Sequence, residues 1–312
     1  MKTRSIGSLK VSLVGVGCNN FGMRIDEAAT ARVVDAAIEA GINFFDTADI
    51  YGGTRSEEFL GRALGARRSQ VIVATKFGMA VDPTRTGARP EYVRQAAEDS
   101  LRRLGTDYID LYQLHQPDPD VPTADTLGAM NELVRAGKVR EIGCSNFTPE
   151  QLDEAAAASS ARGYARFVSV QNEYSLLRRL PERGVLQTCE RLDIAFIPYF
   201  PLASGLLTGK YRRNETPPEG TRLAGMPAER QAQTFSDKNM DRVDALSAFA
   251  REQHHTLLEL AMSWLLARPE VASVIAGATK AEQVAANAAA VAWELSPGDL
   301  AAIDTLLATT GR

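Results

Sequence analysis

An acid, a phenol, an amine and an imidazole stand at corresponding places in successive segments of this chain. Asp46 and Tyr51 lie in Asn43-Phe44-Phe45-Asp46-Thr47-Ala48-Asp49-Ile50-Tyr51-Gly52, Lys76 ends Ala74-Thr75-Lys76, and His115 ends Asp110-Leu111-Tyr112-Gln113-Leu114-His115. A phenol with its ordinary pKa near 10 is a poor acid at neutral pH, but a neighbouring ammonium stabilises the phenolate and is expected to lower that value. Lys76 is the candidate cation. Asp46 would keep it charged and in place, and His115 would hydrogen-bond a substrate oxygen beside Tyr51, orienting it and stabilising developing charge. Such a set donates a proton to an alkoxide, the product of hydride attack on a carbonyl. The hydride has to come from a cofactor, since no side chain supplies one. Taken singly, each residue has a plainer account: a packing tyrosine, a solvated strand-end lysine, a satisfied rim histidine. Asn146, Gln171 and Tyr199 stand at further strand ends, and the recurrence of such residues at equivalent positions favours a site.

Their convergence requires a particular architecture. Apolar, β-branched runs predict strands at Leu13–Gly17, Ile42–Phe45, Val71–Thr75, Tyr108–Leu114, Val139–Gly143, Phe167–Val170, Ile194–Pro198 and Val271–Ile275. Helical periodicity and capping signals separate them. Thr54-Arg55-Ser56-Glu57, Thr148-Pro149-Glu150-Gln151 and Thr279-Lys280-Ala281-Glu282 read as capping boxes, and Ser296-Pro297-Gly298-Asp299 caps a last helix. Helices are also expected over 27–40, 90–104, 123–136, 182–192, 237–254 and 256–267, whereas residues 203–236 read as a long loop. Eight βα units without a linker or composition break predict an α/β fold, a (β/α)8 TIM barrel forming a single domain over 1–312. A short N-terminal β-hairpin over 4–12, turning at Gly7-Ser8, and extra C-terminal helices complete it. A doubly wound sheet is the alternative. Gly15 and Gly17 suggest a dinucleotide fingerprint, but Asn20 stands where its third glycine is needed.

Composition excludes several classes. A net charge of −4 with no concentrated basic run argues against a nucleic-acid surface. No continuous apolar leader and no run of 18 apolar residues is found, so a cytoplasmic protein without a membrane span is expected. Cys18, Cys144 and Cys189 are too scattered for a disulfide framework or zinc site, and no metal is expected. Asn146-Phe147-Thr148 and Asn214-Glu215-Thr216 match the glycosylation pattern by chance in that setting. Oligomeric state stays undecided.

On these segments the chain resembles the aldo-keto reductases over essentially all 312 residues. The resemblance implies a catalytic tetrad of Asp46, Tyr51, Lys76 and His115, and reduction of small-molecule aldehydes or ketones to alcohols. Gly143-Cys144-Ser145-Asn146 and Gln171-Asn172 resemble the segments that hold the nicotinamide carboxamide, which implies contacts at Ser145, Asn146 and Gln171. Tyr199-Phe200-Pro201-Leu202 resembles the segment whose aromatic ring stacks on the nicotinamide; Phe200 departs from the usual small polar residue. Cofactor contacts are implied at Tyr199, Pro201, Leu202, Gly205, Leu207 and Lys210, with the start of the long loop folding over the pyrophosphate.

Gly277, Thr279, Lys280, Gln283 and Asn287 resemble the adenosine-phosphate site, which implies NADPH in preference to NADH. Gly277 stands where many members carry Lys. A helix N-terminus beside a Lys is also a physical anion site. Asn19, Asn20, Phe21 and Met23 would line the substrate mouth with part of the 212–236 loop. Two other readings are a cofactor-binding, redox-sensing regulatory subunit like the potassium-channel β subunits, and a Schiff-base lyase with Lys76 as its nucleophile.

Overall fold

Short runs of Val, Ile, Phe and Leu, apolar on both faces, pair as parallel strands because each is covered outside by a helix and inside by its neighbours. The computed structural model describes residues 1–213 and 215–310. Asn214 of the second glycosylation tripeptide and Gly311–Arg312 of the expected domain lie outside the described residues. A two-stranded antiparallel hairpin, β1 (Thr3–Ile6) and β2 (Leu9–Ser12), precedes the barrel, with Gly7 in its turn. The barrel strands are β3 (Val14–Gly17), β4 (Phe44–Asp46), β5 (Ile72–Phe77), β6 (Ile109–Leu114), β7 (Val139–Ser145), β8 (Phe167–Glu173), β9 (Ala195–Tyr199) and β10 (Val274–Gly277). They run in chain order with β10 beside β3. One parallel bridge, Phe196 to Val271, joins β9 to the stretch before β10 and closes the circle. The expected eight-stranded barrel and its hairpin are therefore present.

Helices alternate with these strands: α1 (Glu27–Glu39), α2 (Arg55–Leu64), α3 (Pro90–Leu104), α4 (Thr123–Arg135), α5 (Pro149–Arg162), α6 (Val185–Leu192), α7 (Ala228–Thr234), α8 (Asp237–Glu252), α9 (Leu257–Leu266), α10 (Ala281–Ala289) and α11 (Pro297–Thr309). Among the described residues no helix is long and apolar enough to cross a membrane. The large core lies between barrel and helices. A smaller cluster fills the barrel itself: Phe44, Ala74, Leu111, Val168, Ile197 and Ile275 meet Ile6, Leu9 and Val11 of the hairpin, which plugs the amino-terminal end.

Several local expectations change. Capping boxes form at Thr148 and Ser296, but not at Thr54, whose left-handed backbone (φ 76°) carries no side-chain cap. Glu57, the expected reciprocal partner, is buried and bonded elsewhere, so tertiary contacts override the local motif. Thr279 does not cap α10 either; Lys280 takes the N-cap position without a side-chain bond, and Thr279 N–H donates to Gln283 Oε1 at 2.8 Å. Gly184, at φ 129°, separates a 3-10 turn at Leu180–Arg183 from α6, so the helix expected from Glu182 starts at Val185. The last strand begins at Val274, not Val271, because Val271 makes only the closing bridge. The 203–236 stretch contains a 3-10 segment at Ala203–Thr208 as well as α7, so it is partly folded.

Candidate active site

Side chains alternate along a strand, so the inward residue two places beyond each plug residue is the first to reach the carboxyl-end mouth. Phe44, Ala74, Leu111, Ile197 and Ile275 form the plug, and two residues on come Asp46, Lys76, Gln113, Tyr199 and Gly277. Burial of the apolar layer thus sets the polar layer above it in register. Lys76 and Gln113 are also direct strand partners.

Lys76 is fully buried, and its Nζ donates to Asp46 Oδ2 at 2.6 Å and to the Thr47 carbonyl at 2.9 Å. The other Asp46 oxygen accepts from Gln171 Nε2 at 2.9 Å and Gln113 Nε2 at 3.4 Å. Tyr51 reaches the same spot from the loop after β4. Lys76 Nζ lies 5.2 Å from the centre of its ring, and the His115 ring stands edge-on to it at 5.7 Å between centroids. Gly52 permits this approach: at φ +61°, with its absent Cβ directed 2.4 Å from the Phe21 carbonyl oxygen, no larger residue fits without movement.

Three charge states follow from burial. Loss of solvent alone would lower the Lys76 pKa, but the charge and hydrogen bond of Asp46, helped by Tyr51, raise it overall, so the amine stays an ammonium. Burial and the Lys76 charge push His115 down to about 3, leaving a neutral imidazole at neutral pH. Tyr51 reverses the expectation. Burial raises its pKa more than Lys76 lowers it, so the phenol is kept protonated. The ammonium moderates the rise without making the group unusually acidic.

Beside this cluster, Ser145 donates to the Gln171 carbonyl at 2.7 Å, and Asn146 Nδ2 donates to the His115 carbonyl at 3.0 Å. Asn146 has φ 63°, is exposed, and accepts the Tyr199 hydroxyl at 2.8 Å. The residues expected around a nicotinamide are therefore together, although Gln171 already spends its amide on Asp46 and Ser145 its hydroxyl on the backbone. Pro201 is buried, and Leu202 and Gly205 are half-buried at the start of the following loop. Phe200, Ala203 and Ser204 all adopt left-handed backbone there. Leu207 is fully buried in the core, so its side chain does not face a ligand.

Gly277 is exposed at the end of β10, with Asn19 Oδ1 and Asn20 Nδ2 near its missing Cβ at 3.3 and 3.1 Å. Lys280 and Gln283 are exposed at the start of α10, and Asn287 is buried on its inner side. Phe21 is fully buried in the core and does not line a mouth, whereas Met23 is 61 % exposed. Asn20 donates to the Ala278 carbonyl at 3.3 Å, and its Oδ1 is buried without a partner. The pair expected at the substrate mouth thus borders the expected phosphate segment.

Two residues escaped the sequence reading. Gln113 is one; its signal was its place two residues before His115, on the inward face. Arg222 is the other. Half-buried, it stacks on Phe200 with Cζ 5.0 Å from the ring centre and makes no ion pair among the described residues. Burial, then the nearby charge of Arg24, lowers its pKa. Its position in an irregular loop left no periodic signal.

Comparisons with known proteins identify a family. The profile of the Aldo/keto reductase family matches residues 13–308. The chain is 35% identical over 299 residues to "Probable aldo-keto reductase 1" of Glycine max, covering 93% of this chain and 84% of that one. It is 34% identical over 311 residues to "Aldo-keto reductase YhdN" of Bacillus subtilis (strain 168), covering 97% and 92%. A "Probable voltage-gated potassium channel subunit beta" of Oryza sativa subsp. japonica is 32% identical over 295 residues, covering 92% and 90%. With a barrel that gathers an acid, an ammonium, a phenol and a neutral imidazole at one mouth, the chain belongs to the aldo/keto reductase family and is an oxidoreductase.

Proposed function

We propose that the protein reduces aldehydes or ketones with NADPH, using Tyr51 as the proton donor. The observation that carries this reading is the placement of Tyr51 between an ammonium and a neutral imidazole at the barrel mouth. A bound nicotinamide would supply the hydride. Neutral His115 can donate an N–H to the carbonyl oxygen and orient it, and the protonated phenol then transfers its proton to that oxygen. Lys76 stabilises the phenolate left behind, and Asp46 holds Lys76 without transferring a proton itself.

The residues around the mouth suit a dinucleotide. Asn146 and Tyr199 present polar and aromatic surface for the nicotinamide end. The uncapped first turn of α10 leaves backbone N–H groups open to an anion, and Asn20 Oδ1 is a buried acceptor seeking a donor. Lys210, Arg222 and Lys280 are cations without acidic partners among the described residues, suited to pyrophosphate and a 2′-phosphate. A panel of carbonyls assayed by NADPH oxidation and repeated with NADH tests the reading. Absence of cofactor oxidation across the panel counts against it.

The similarity to channel β subunits supports a second reading, a redox-sensing regulatory subunit that binds the cofactor and turns over slowly. Copurification with a membrane partner, together with negligible turnover, would favour it. The lyase reading loses its basis: a Schiff-base lysine must be neutral to attack, and the buried bond to Asp46 favours the charged form of Lys76.

A further inference from the structure

Asp46 comes from β4, and the two amides that meet its Oδ1 come from β6 and β8, so three alternate strands of the barrel converge on one carboxylate oxygen. Gln171 is the nearer donor, at 2.9 Å. Gln113 Nε2 stands at 3.4 Å, and the oxygen of the same amide is buried with no protein partner. Turning the amide over would set that oxygen against Asp46 Oδ1, acceptor facing acceptor, so the nitrogen is held toward the carboxylate.

Gln113 is fully buried and is the direct strand partner of Lys76. On its other side it pairs with Gly143, where a Cβ would lie 3.3 Å from Gln113 Cγ and overlap Ser169 Oγ. The glycine leaves the space that the long amide occupies. For folding alone an apolar side chain would serve better here, because the bond to Asp46 is long and the amide oxygen is buried and unmet. Leu111, two places earlier on the same face of β6, is what the strand carries where packing decides. The amide is therefore explained by what it does to Asp46.

We propose that Gln113 is a positioning residue: together with Gln171 it clamps Asp46 Oδ1, so that Oδ2 stays turned to Lys76 and the ammonium stays where it stabilises the Tyr51 phenolate. The inference rests on the reading of Tyr51 as proton donor. A carboxylate turns readily about its last bond, and two donors on one oxygen fix that turn. With Gln171 alone Asp46 swings about a single bond, and Lys76 Nζ follows the oxygen that it meets at 2.6 Å. A shift of about 1 Å in a group of this kind lowers turnover strongly.

The test uses two variants of the full chain. Gln113→Met keeps the length and loses the donor; Gln113→Glu keeps the shape and donates only while the introduced carboxyl is protonated. In Gln113→Met, kcat for carbonyl reduction should fall about tenfold, with KM and NADPH affinity by fluorescence titration unchanged and the thermal midpoint not lowered. Gln113→Glu should recover toward wild-type kcat at acid pH, and fall below Gln113→Met at alkaline pH, where the new carboxylate repels Asp46. A packing role alone does not produce that crossing. Near-normal kcat in Gln113→Met overturns the proposal, as does Gln113→Glu tracking Gln113→Met at every pH. Should Gln113→Glu fail to fold, Gln113→Met decides: a kcat loss at unchanged NADPH affinity and midpoint supports the clamp, and a loss matched by a fall in either overturns it. Tyr51→Phe, assayed alongside, keeps the two levels apart. Normal turnover there defeats the proton-donor reading, whereas an inactive Tyr51→Phe with a normal Gln113→Met defeats the clamp alone.

Discussion

Lys76 Nζ lies 2.6 Å from Asp46 Oδ2 with the amine fully buried, so each charge depends on the other for its place in the fold. Removing one partner leaves an uncompensated buried charge. Asp46→Ala should destabilise the protein by about 3–5 kcal/mol, whereas the double change Asp46→Leu with Lys76→Met should cost less than the single one. Urea unfolding measures both, and a double variant weaker than Asp46→Ala would contradict this account of the pair.

If Tyr51 is the proton donor, its hydroxyl serves chemistry more than packing. Tyr51→Phe should lower kcat for carbonyl reduction by roughly a hundredfold or more, with NADPH affinity by fluorescence titration nearly intact. Near-normal turnover of a test aldehyde by the variant would remove Tyr51 as the acid.

The depressed pKa of His115 makes a prediction for acid stability. The imidazole takes a proton near 6.5 when unfolded but only near 3 in the fold. Between those values the unfolded chain binds the extra proton, so stability falls as pH drops from 6.5 toward 3. His115→Asn should show a shallower loss over that window in thermal unfolding. An unchanged acid limb in the variant would mean that the imidazole is not held neutral by the fold.

Lys280 is exposed at the uncapped start of α10. If it meets the 2′-phosphate, Lys280→Ala should weaken NADPH by about tenfold and leave NADH little changed. Equal loss for both cofactors, measured by titration, would remove that role.

Much of this was legible in the sequence because apolar strand runs and polar strand ends are local signals that the barrel preserves. What was misread depended on three-dimensional neighbours. Thr54 and Glu57 have capping-box spacing, but Glu57 finds Thr75 and Arg103 across the interior and leaves the cap. Phe21 lies beside polar Asn19 and Asn20 in sequence yet points into the core. The pKa of Tyr51 was read from its charged neighbour; solvent exclusion, which outweighs that charge, has no sequence signature. Gln113 was hidden in an apolar strand.

The closing bridge between Phe196 and Val271 has a mechanical consequence. Every other strand pair is laced by several register positions, so this seam is the slackest joint of the cylinder. Tyr199 lies on one side of it, and Gly277 with the start of α10 on the other. A dinucleotide spanning these residues would therefore act as a clasp. Hydrogen exchange at the Phe196 and Ala272 amides, which donate across the seam, should slow when cofactor is added. The barrel would then be completed by the molecule it binds, with the ligand serving as a stave.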